Sequence, residues 1–164
     1  MNSEVFTGQT ITCGAWSLAL KSPWAHTIVD TFELVAIPRA PLWLVGAVNI
    51  NGSIVPVVDF AAYFAPDARH TAADKHQRIL IGGRRDEGMD EAATHDSVFA
   101  VLFNGLPMEI EYTREAVDVS TVLPERLKEL CIGMARRTLD DGSDSVHFEM
   151  NTDRFMDFLS LSLM

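Results

Sequence analysis

Short runs of alternating apolar and polar residues follow one another along most of the chain, and this pattern predicts a mainly β protein. Residues 10–20 alternate on both sides of Gly14-Ala15, where glycine takes the first central position of a type II′ hairpin turn at low cost. The strands predicted over 78–82 and 97–103 carry apolar residues on both faces, so we expect them to be buried. Together with the later runs, the spacing predicts roughly eight to ten short strands without βαβ alternation, as in antiparallel barrels or sandwiches.

The clearest local pattern is a β-hairpin predicted around Asn51-Gly52. Two apolar runs rich in β-branched residues, 42–50 and 53–60, flank this dipeptide. Asn-Gly favours a type I′ turn because both central residues take a positive φ there. Pro56 cannot donate a ladder hydrogen bond, which predicts an edge position or a bulge in the second strand. A single helical turn is expected directly after this strand, over 61–64.

Two or three short helices are predicted beside the strands. Ser22-Pro23 combines a favourable N-cap with proline at the first helical position, and apolar residues follow at helical spacing up to Phe32. A second helix is predicted over 124–130, with its two leucines facing inward. Thr152 is expected to cap a terminal helix that has one apolar face.

Three stretches are predicted to interrupt the regular structure. Residues 66–77 are polar and are expected to form a surface connection. Residues 84–96, RRDEGMDEAATHD, form a charged loop that has little to bury. Gly105-Leu106-Pro107 is expected to end the hairpin of the preceding strand, so that mixed strand and loop follow over 108–119.

Composition narrows the class of protein. The 164 residues are 48% hydrophobic and 22% charged, which argues against a disordered chain and predicts one domain spanning 1–164. A formal net charge of -10 argues against binding to nucleic acid or anionic membranes, since both require a basic surface. No apolar run is long enough to insert into a membrane, and residues 1–5 lack the features of a signal peptide. We therefore expect a cytoplasmic protein.

Catalytic and metal-binding motifs do not stand out in the sequence. Cys13 and Cys131 are isolated in apolar segments, which predicts reduced cysteines that serve packing. The five histidines lack metal-binding spacing, and His147 is predicted on the solvated face of a strand. A Cys131–His147 nucleophile pair stays open as an alternative, within the rival interpretation of a small β-barrel enzyme or ligand-binding domain. We therefore predict no catalytic residue, no metal and no cofactor.

Residues 37–59, IPRAPLWLVGAVNINGSIVPVVD, resemble the signature of the CheW family of chemotaxis coupling scaffolds. The shared pattern includes the paired prolines, the glycine before V-N-I, and the P-V-V-D-F end of the hairpin. Similarity extends to the opening strand pair, to VFAVLFNG at 98–105, to the strand at 130–134, and to the final strand and helix. The resemblance implies a mainly β fold of two intertwined five-stranded SH3-like barrels, with two or three short helices.

The same resemblance implies a non-catalytic adaptor. Its implied partners are the regulatory domain of a CheA-like histidine kinase and the cytoplasmic tip of a methyl-accepting-type receptor. Neither nucleic acid nor direct membrane insertion is part of this interpretation. The implied partner-binding residues are Ala25, Thr27, Gly46, Asn51, Gly52, Ala100 and Asn104.

Several of these positions depart from the family pattern. Asn51 stands where the family has an arginine, and Thr27 stands where its V-x-E-I motif has a glutamate. Ala25 replaces the valine of that motif, and Asn104 replaces an aspartate. Loss of charge at positions that engage partners would remove charge-assisted contacts. We therefore expect a divergent adaptor with an altered partner set, such as one serving a type IV pilus or an accessory chemosensory system.

Overall fold

The structure is a computed structural model that describes residues 4–22, 24–66, 77–83, 98–118 and 120–162. The strands within these residues are β1 (Val5–Cys13), β2 (Trp16–Lys21), β3 (Ala25–Val29), β4 (Leu44–Ile50), β5 (Ser53–Val58), β6 (Arg78–Gly83), β7 (Val98–Glu115), β8 (Cys131–Thr138) and β9 (Asp144–Met150). The helices within them are α1 (Phe60–Phe64), α2 (Glu125–Leu130) and α3 (Thr152–Ser162). Most of the connection predicted over 66–77 and all of the loop predicted over 84–96 lie outside the described residues.

Five strands close into a first barrel. β1 pairs with β2, β2 with β9, β9 with β8 and β8 with the end of β7, and the second half of β7 returns to β1. The β2–β9 pairing is parallel, and the other pairings are antiparallel. The buried apolar residues inside this barrel are Ala19, Ile110, Tyr112 and Ala135.

The second barrel is built on the first half of β7. Its strand order is β4–β5–β7–β6–β3, and β4 is bridged on its outer edge to Val35. The buried residues inside it are Val48, Val55, Val57, Ile79, Ile81, Ala100 and Leu102. Because β7 belongs to both units, the nine strands of the described residues supply two five-stranded barrels, which confirms the expected architecture.

β7 is one continuous strand of 18 residues, so the break predicted at Gly105-Leu106-Pro107 is wrong. Asn104 pairs with Thr12 and Met108 pairs with Thr10, which leaves the three residues between them opposite Ile11 alone. Gly105 has a φ of 80°. Residues 105–107 form a bulge and the strand continues through it, because both halves of β7 are paired. β5 and β6 pair with the half before the bulge, and β1 and β8 pair with the half after it.

Residues 25–29 form a strand, not the helix predicted to start at Ser22-Pro23. The strand β3 pairs with β6 from Ala25↔Gly82 to Val29↔Ile79. A run this short fits helical and extended spacing about equally well, so the tertiary pairing decides its conformation. β6 is buried, so the backbone N–H and C=O groups along its outer edge need hydrogen-bond partners. The backbone of β3 supplies them.

Both predicted hairpin turns are confirmed. Asn51 and Gly52 have φ values of 53° and 88°, as a type I′ turn requires. Gly14 has a φ of 62° in the two-residue β1–β2 turn. Pro56 pairs only with β4, because the contact of β5 with β7 begins at Val57, so the proline does occupy an edge position.

The helices close the ends of the barrels. Asp59 caps α1, since its carboxylate accepts a 3.0 Å hydrogen bond from the Ala61 amide. Both leucines of α2 are buried, as predicted. Asn151 caps α3 instead of Thr152, since its side-chain oxygen accepts a hydrogen bond of 3.0 Å from the Arg154 amide. The apolar face predicted for α3 from Phe155, Phe158 and Leu159 is confirmed in part, because Phe155 and Leu159 are buried whereas Phe158 is 39% exposed.

The main core lies between the two barrels. Alternate β7 residues Phe99, Val101 and Phe103 face this core, whereas Ala100 and Leu102 face the interior of the second barrel. Both faces of this half of β7 are therefore covered, as its continuous apolar sequence predicts. Aromatic rings from α1 and α3 complete the main core.

Candidate partner-binding surface

Three of the residues implied as partner-binding lie in one row across the second barrel. The strand registers align Thr27, Ile81, Ala100, Val57 and Gly46 from β3 to β4. Thr27 is exposed on the edge strand, so it is available to a partner. Ala100 has no accessible surface and packs inside the barrel, so the structure corrects its role from contact to packing. Ala25 lies on the same edge strand, paired with Gly82.

Gly46 holds a neighbouring segment against β4. A Cβ at this position would lie 2.7 Å from the carbonyl oxygen of Val35, so only glycine permits this approach. Val35 and Ala47 then exchange backbone hydrogen bonds of 2.8 and 2.9 Å. Gly46 is buried, and it shapes the surface without contributing to it.

The tip of the β4–β5 hairpin is the most exposed of the implied sites. Asn51 and Gly52 are both exposed, and the Gly52 amide donates a 2.8 Å hydrogen bond to the side chain of Asn49. Ile54 lies beside them on the outer face of β5 and is 69% exposed. The tip therefore presents a polar, uncharged turn next to an exposed aliphatic side chain.

Asn104 lies apart from the other implied residues. It is the last residue of β7 before the bulge, and it pairs with Thr12 of the first barrel. Its side-chain oxygen is buried and has no hydrogen-bond partner among the described residues. The implied set thus divides into the hairpin tip and β3 edge on the second barrel, and one residue at the junction of the barrels.

The cysteines do not form a nucleophilic site. Cys13 is fully buried, and this burial raises the pKa of its thiol far above the ordinary value. Partial burial likewise raises the pKa of Cys131. The β8–β9 register pairs Cys131 with Met150 and His147 with Ala135, so the alternative Cys131–His147 pair is separated along the ladder.

His147 is half-buried, which corrects its predicted solvated position. Its Nδ1 hydrogen-bonds the hydroxyl of Ser17 on β2, and its Nε2 lies 3.1 Å from the hydroxyl of Ser145. Burial lowers the pKa of the imidazole, and the nearby charge of Arg137 lowers it further. Through its hydrogen bond to Ser17, His147 ties β9 to β2 in the first barrel.

A groove of about 510 Å³ runs beside α2 and is lined by Val117, Asp118, Thr121, Val122, Leu123, Lys128 and Cys131. The Asp118 carboxylate accepts hydrogen bonds from the amide and hydroxyl of Ser120, which lowers its pKa.

No group of His, Cys, Asp or Glu among the described residues could hold a metal ion. No helix in the described part of the chain is long and apolar enough to cross a membrane.

An ion pair that the sequence did not predict lies in the first barrel. Arg114 Nε and Nη2 donate hydrogen bonds of 2.7 and 2.8 Å to the two carboxylate oxygens of Glu149. The Glu149 side chain is fully buried, whereas that of Arg114 is 35% exposed. The guanidinium also lies 4.5 Å from the ring centroid of Phe6. The pair is a structural element of the barrel.

The comparisons with known proteins agree with this architecture. A family model described as the CheW-like domain matches residues 10–147, which span both barrels. The chain belongs to the CheW-like domain family. Among solved structures, the scaffolding protein TtCheW from Thermoanaerobacter tengcongensis is similar, with a TM-score of 0.63 and 17% sequence identity. That alignment covers 92% of this chain and 85% of TtCheW. No curated protein sequence matches.

Membership of the CheW-like family confirms the resemblance found in residues 37–59 and the SH3-like β fold. CheW-like proteins are non-catalytic scaffolds that act as coupling adaptors in chemotaxis signalling, and this chain is one of them.

Proposed function

We propose that this chain, as a single cytoplasmic CheW-like domain over 1–164, couples the cytoplasmic tip of a methyl-accepting-type receptor to the regulatory domain of a CheA-like kinase. It does so by binding alone, without a catalytic residue, metal or cofactor. Support comes from the match of the CheW-like model across both barrels. Thr27 and the Asn51-Gly52 tip supply exposed surface for such partners on the second barrel.

We further propose that the partner set differs from that of a standard chemoreceptor array. Asn51, exposed at the hairpin tip, lacks the guanidinium that the family pattern places there. Arginine can bind a carboxylate through two parallel hydrogen bonds, and asparagine cannot replace that charge. A type IV pilus or accessory chemosensory system is the setting that we propose for such a divergent adaptor.

Binding measured with Asn51→Arg tests this proposal. We expect the wild-type chain to capture the kinase and receptor tip from its own organism and to bind a standard receptor tip weakly. Asn51→Arg should strengthen binding to the standard tip by about tenfold, because it restores a charge-assisted contact. Ser143→Arg places the same side chain on another exposed turn and should change nothing.

Two outcomes would contradict the proposal. Wild-type protein that binds a standard receptor tip and kinase as tightly as an ordinary CheW would exclude an altered partner set. A small molecule that remains bound to the purified chain in native mass spectrometry, with no capture of the kinase, would favour the rival ligand-binding function. The groove lined by Lys128 and Cys131 would then be its site.

A further inference from the structure

His147 lies at the centre of a polar cluster on the first barrel, whereas the exposed residues proposed for the adaptor function lie on the second. Its Nδ1 hydrogen-bonds the hydroxyl of Ser17 on β2, and its Nε2 lies 3.1 Å from the hydroxyl of Ser145 on its own strand. All three residues are half-buried, so neighbours fix their polar groups while a small solute can still reach them. The imidazole therefore holds two hydroxyl groups in defined positions.

Arg137 adds a positive charge beside these groups. The β8–β9 register pairs Arg137 with Ser145 and Ala135 with His147, and paired residues project from the same face of a sheet. The charge of Arg137 acts on the imidazole, since it lowers the pKa of His147 further after the larger effect of burial. We call the residues that share this face the His147 cluster: Ser17, Arg137, Ser145 and His147.

The Arg137 guanidinium has no carboxylate partner among the described residues. Its polar contact there joins Nη1 to the Sδ of Met108 at 3.5 Å, and a thioether is a weak acceptor. The adjacent Arg136, by contrast, contacts the carboxylates of Glu115 and Asp144 on the other face of the sheet. Arg137 therefore keeps most of its N–H donors for an acceptor from outside the chain.

The uncommitted groups of the His147 cluster are mainly hydrogen-bond donors. Because its pKa is lowered, His147 is mainly neutral near neutral pH, so its ring donates through one nitrogen and accepts through the other. One serine hydroxyl therefore receives a proton from the ring and keeps its own proton for an outside acceptor. The guanidinium fork alone can bind both oxygens of a carboxylate, whereas a phosphate brings further oxygens for this hydroxyl. The complementary ligand is a tetrahedral oxyanion.

Other charges on this face of the first barrel lie toward its opposite end. Arg114 binds both carboxylate oxygens of Glu149, and the Nζ of Lys21 lies 4.5 Å from the ring centroid of Phe6. β1 carries no charged residue. Strand alternation places the remaining charged residues of β7, β8 and β9 on the other face of the sheet: Glu109, Glu111, Glu115, Arg136 and Asp144. Arg137 is thus the charge that faces His147.

We propose that the His147 cluster binds a tetrahedral oxyanion, either free phosphate or the phosphate group of a small molecule. The bound anion would accept hydrogen bonds from Arg137 and from a serine hydroxyl, and so would connect β8 to its neighbours in the first barrel. This site is independent of the proposed adaptor function. The formal net charge of -10 opposes anion binding in general, so we expect a Kd of about 1–10 mM at low ionic strength.

A measurement without ligand tests the arrangement of the cluster. Arg137→Gln should raise the pKa of His147, because a facing cation disfavours protonation of the ring. Arg154→Gln removes the same charge from an exposed position on α3 and should leave this pKa unchanged. Nuclear magnetic resonance (NMR) titration of the histidine ring signals gives the values, and the spectrum of His147→Gln identifies the signal. An unchanged pKa in Arg137→Gln would overturn the proposal.

Anion titrations followed at the same NMR signal test binding, with chloride as the replaced anion at constant ionic strength. We expect phosphate and sulfate to give saturable shifts, and acetate to bind at least about fivefold more weakly. Arg137→Gln should weaken phosphate binding by about tenfold and Ser145→Ala by about threefold, whereas Arg154→Gln should stay within about twofold of wild type. Glycerol phosphate that binds as well as phosphate would assign the site to the phosphate group of a small molecule, and weaker binding would assign it to the free anion.

Proton linkage provides a second readout of the same site. Sulfate keeps its double charge between about pH 5 and 8, so any change in its affinity over this range reports on the protein. A bound anion favours the charged imidazolium, and saturating sulfate should therefore raise the pKa of His147. Sulfate affinity should accordingly increase as the pH falls through that pKa. The same titration in Arg154→Gln should match wild type.

Three results would overturn the inference. Equal shifts with phosphate, sulfate, acetate and chloride would indicate ionic screening only, and a phosphate titration that Arg137→Gln leaves unchanged would place the anion elsewhere. A shift of the His147 signal by Zn²⁺ without any response to phosphate would assign the cluster to a metal. Ser145→Ala removes only one hydroxyl, so it keeps the test valid if a low Tm shows that Arg137→Gln folds poorly. Phosphate affinity equal to wild type in Ser145→Ala would then contradict the proposal.

Discussion

Glu149 shows how one buried charge constrains the first barrel. Its side chain is fully buried, and the Arg114 guanidinium that pairs with it reaches partly into solvent. A buried carboxylate without a partner is costly, whereas an arginine with access to water is much less so. The carboxylate also raises the pKa of the buried Tyr112 hydroxyl, after the larger effect of burial. The two members of the ion pair should therefore differ in their importance for stability.

Removing either member of the pair tests this asymmetry. Arg114→Met leaves the Glu149 charge buried and should lower the free energy of unfolding by about 3 kcal/mol. Glu149→Gln leaves a neutral amide beside a partly hydrated arginine and should cost about 1–2 kcal/mol. Urea denaturation of both variants and of the Arg114→Met/Glu149→Leu double variant measures these values. Equal losses, or a double variant less stable than Arg114→Met, would contradict the asymmetry.

The burial of Glu149 could not be read from its sequence context. Val146, Phe148 and Met150 alternate, which predicts that residues between them face solvent. Both faces of β9 are covered instead, since Met150 and Phe148 pack on the main core and Glu149 points into the first barrel. Alternation identifies one apolar face but says nothing about what covers the other.

At the level of an element, the cover over the β4 edge likewise depends on a segment that packs against it, and Gly46 makes this packing possible. The segment that carries Val35 docks on the outer edge of β4, and the missing Cβ at Gly46 lets its carbonyl approach. Sequence alone predicted a hairpin over 42–60, and the structure confirms its two strands and its turn. The cover over the β4 edge depends on a contact between segments that no local pattern encodes.

Gly46→Ala should therefore destabilise the second barrel. The new methyl group would lie 2.7 Å from the Val35 carbonyl oxygen, so the segment must shift, and we expect a loss of about 2–4 kcal/mol. Gly142→Ala is the control, because its Cβ would enter open space at a φ of 86° and should cost only about 1 kcal/mol. Thermal denaturation compares the two, and equal losses would show that the Val35 contact is unimportant.

At the scale of the whole molecule, β7 makes the two barrels one cooperative unit. Its first half pairs in the second barrel, its second half pairs in the first, and Phe99, Val101 and Phe103 fill the core between them. Because neither barrel is complete without this strand, unfolding one removes a strand from the other. The barrels should therefore unfold together.

Phe103→Ala tests this coupling. The side chain is almost fully buried in the main core, so its truncation should cost about 3–5 kcal/mol. Tryptophan fluorescence and far-ultraviolet circular dichroism should still give coincident urea transitions, in wild type and variant alike. Two separate transitions would mean that the barrels unfold independently in spite of the shared strand.

The sequence by itself determined the features that depend on neighbouring residues. It predicted the Asn51-Gly52 turn because positive φ favours those residue types, the buried strands because their apolar runs are continuous, and the CheW-like family because residues 37–59 keep its pattern. Tertiary structure alone decided that 25–29 pair as a strand and that β7 continues through its bulge. Those outcomes depend on free backbone edges supplied by distant segments, and local spacing carries no information about such edges.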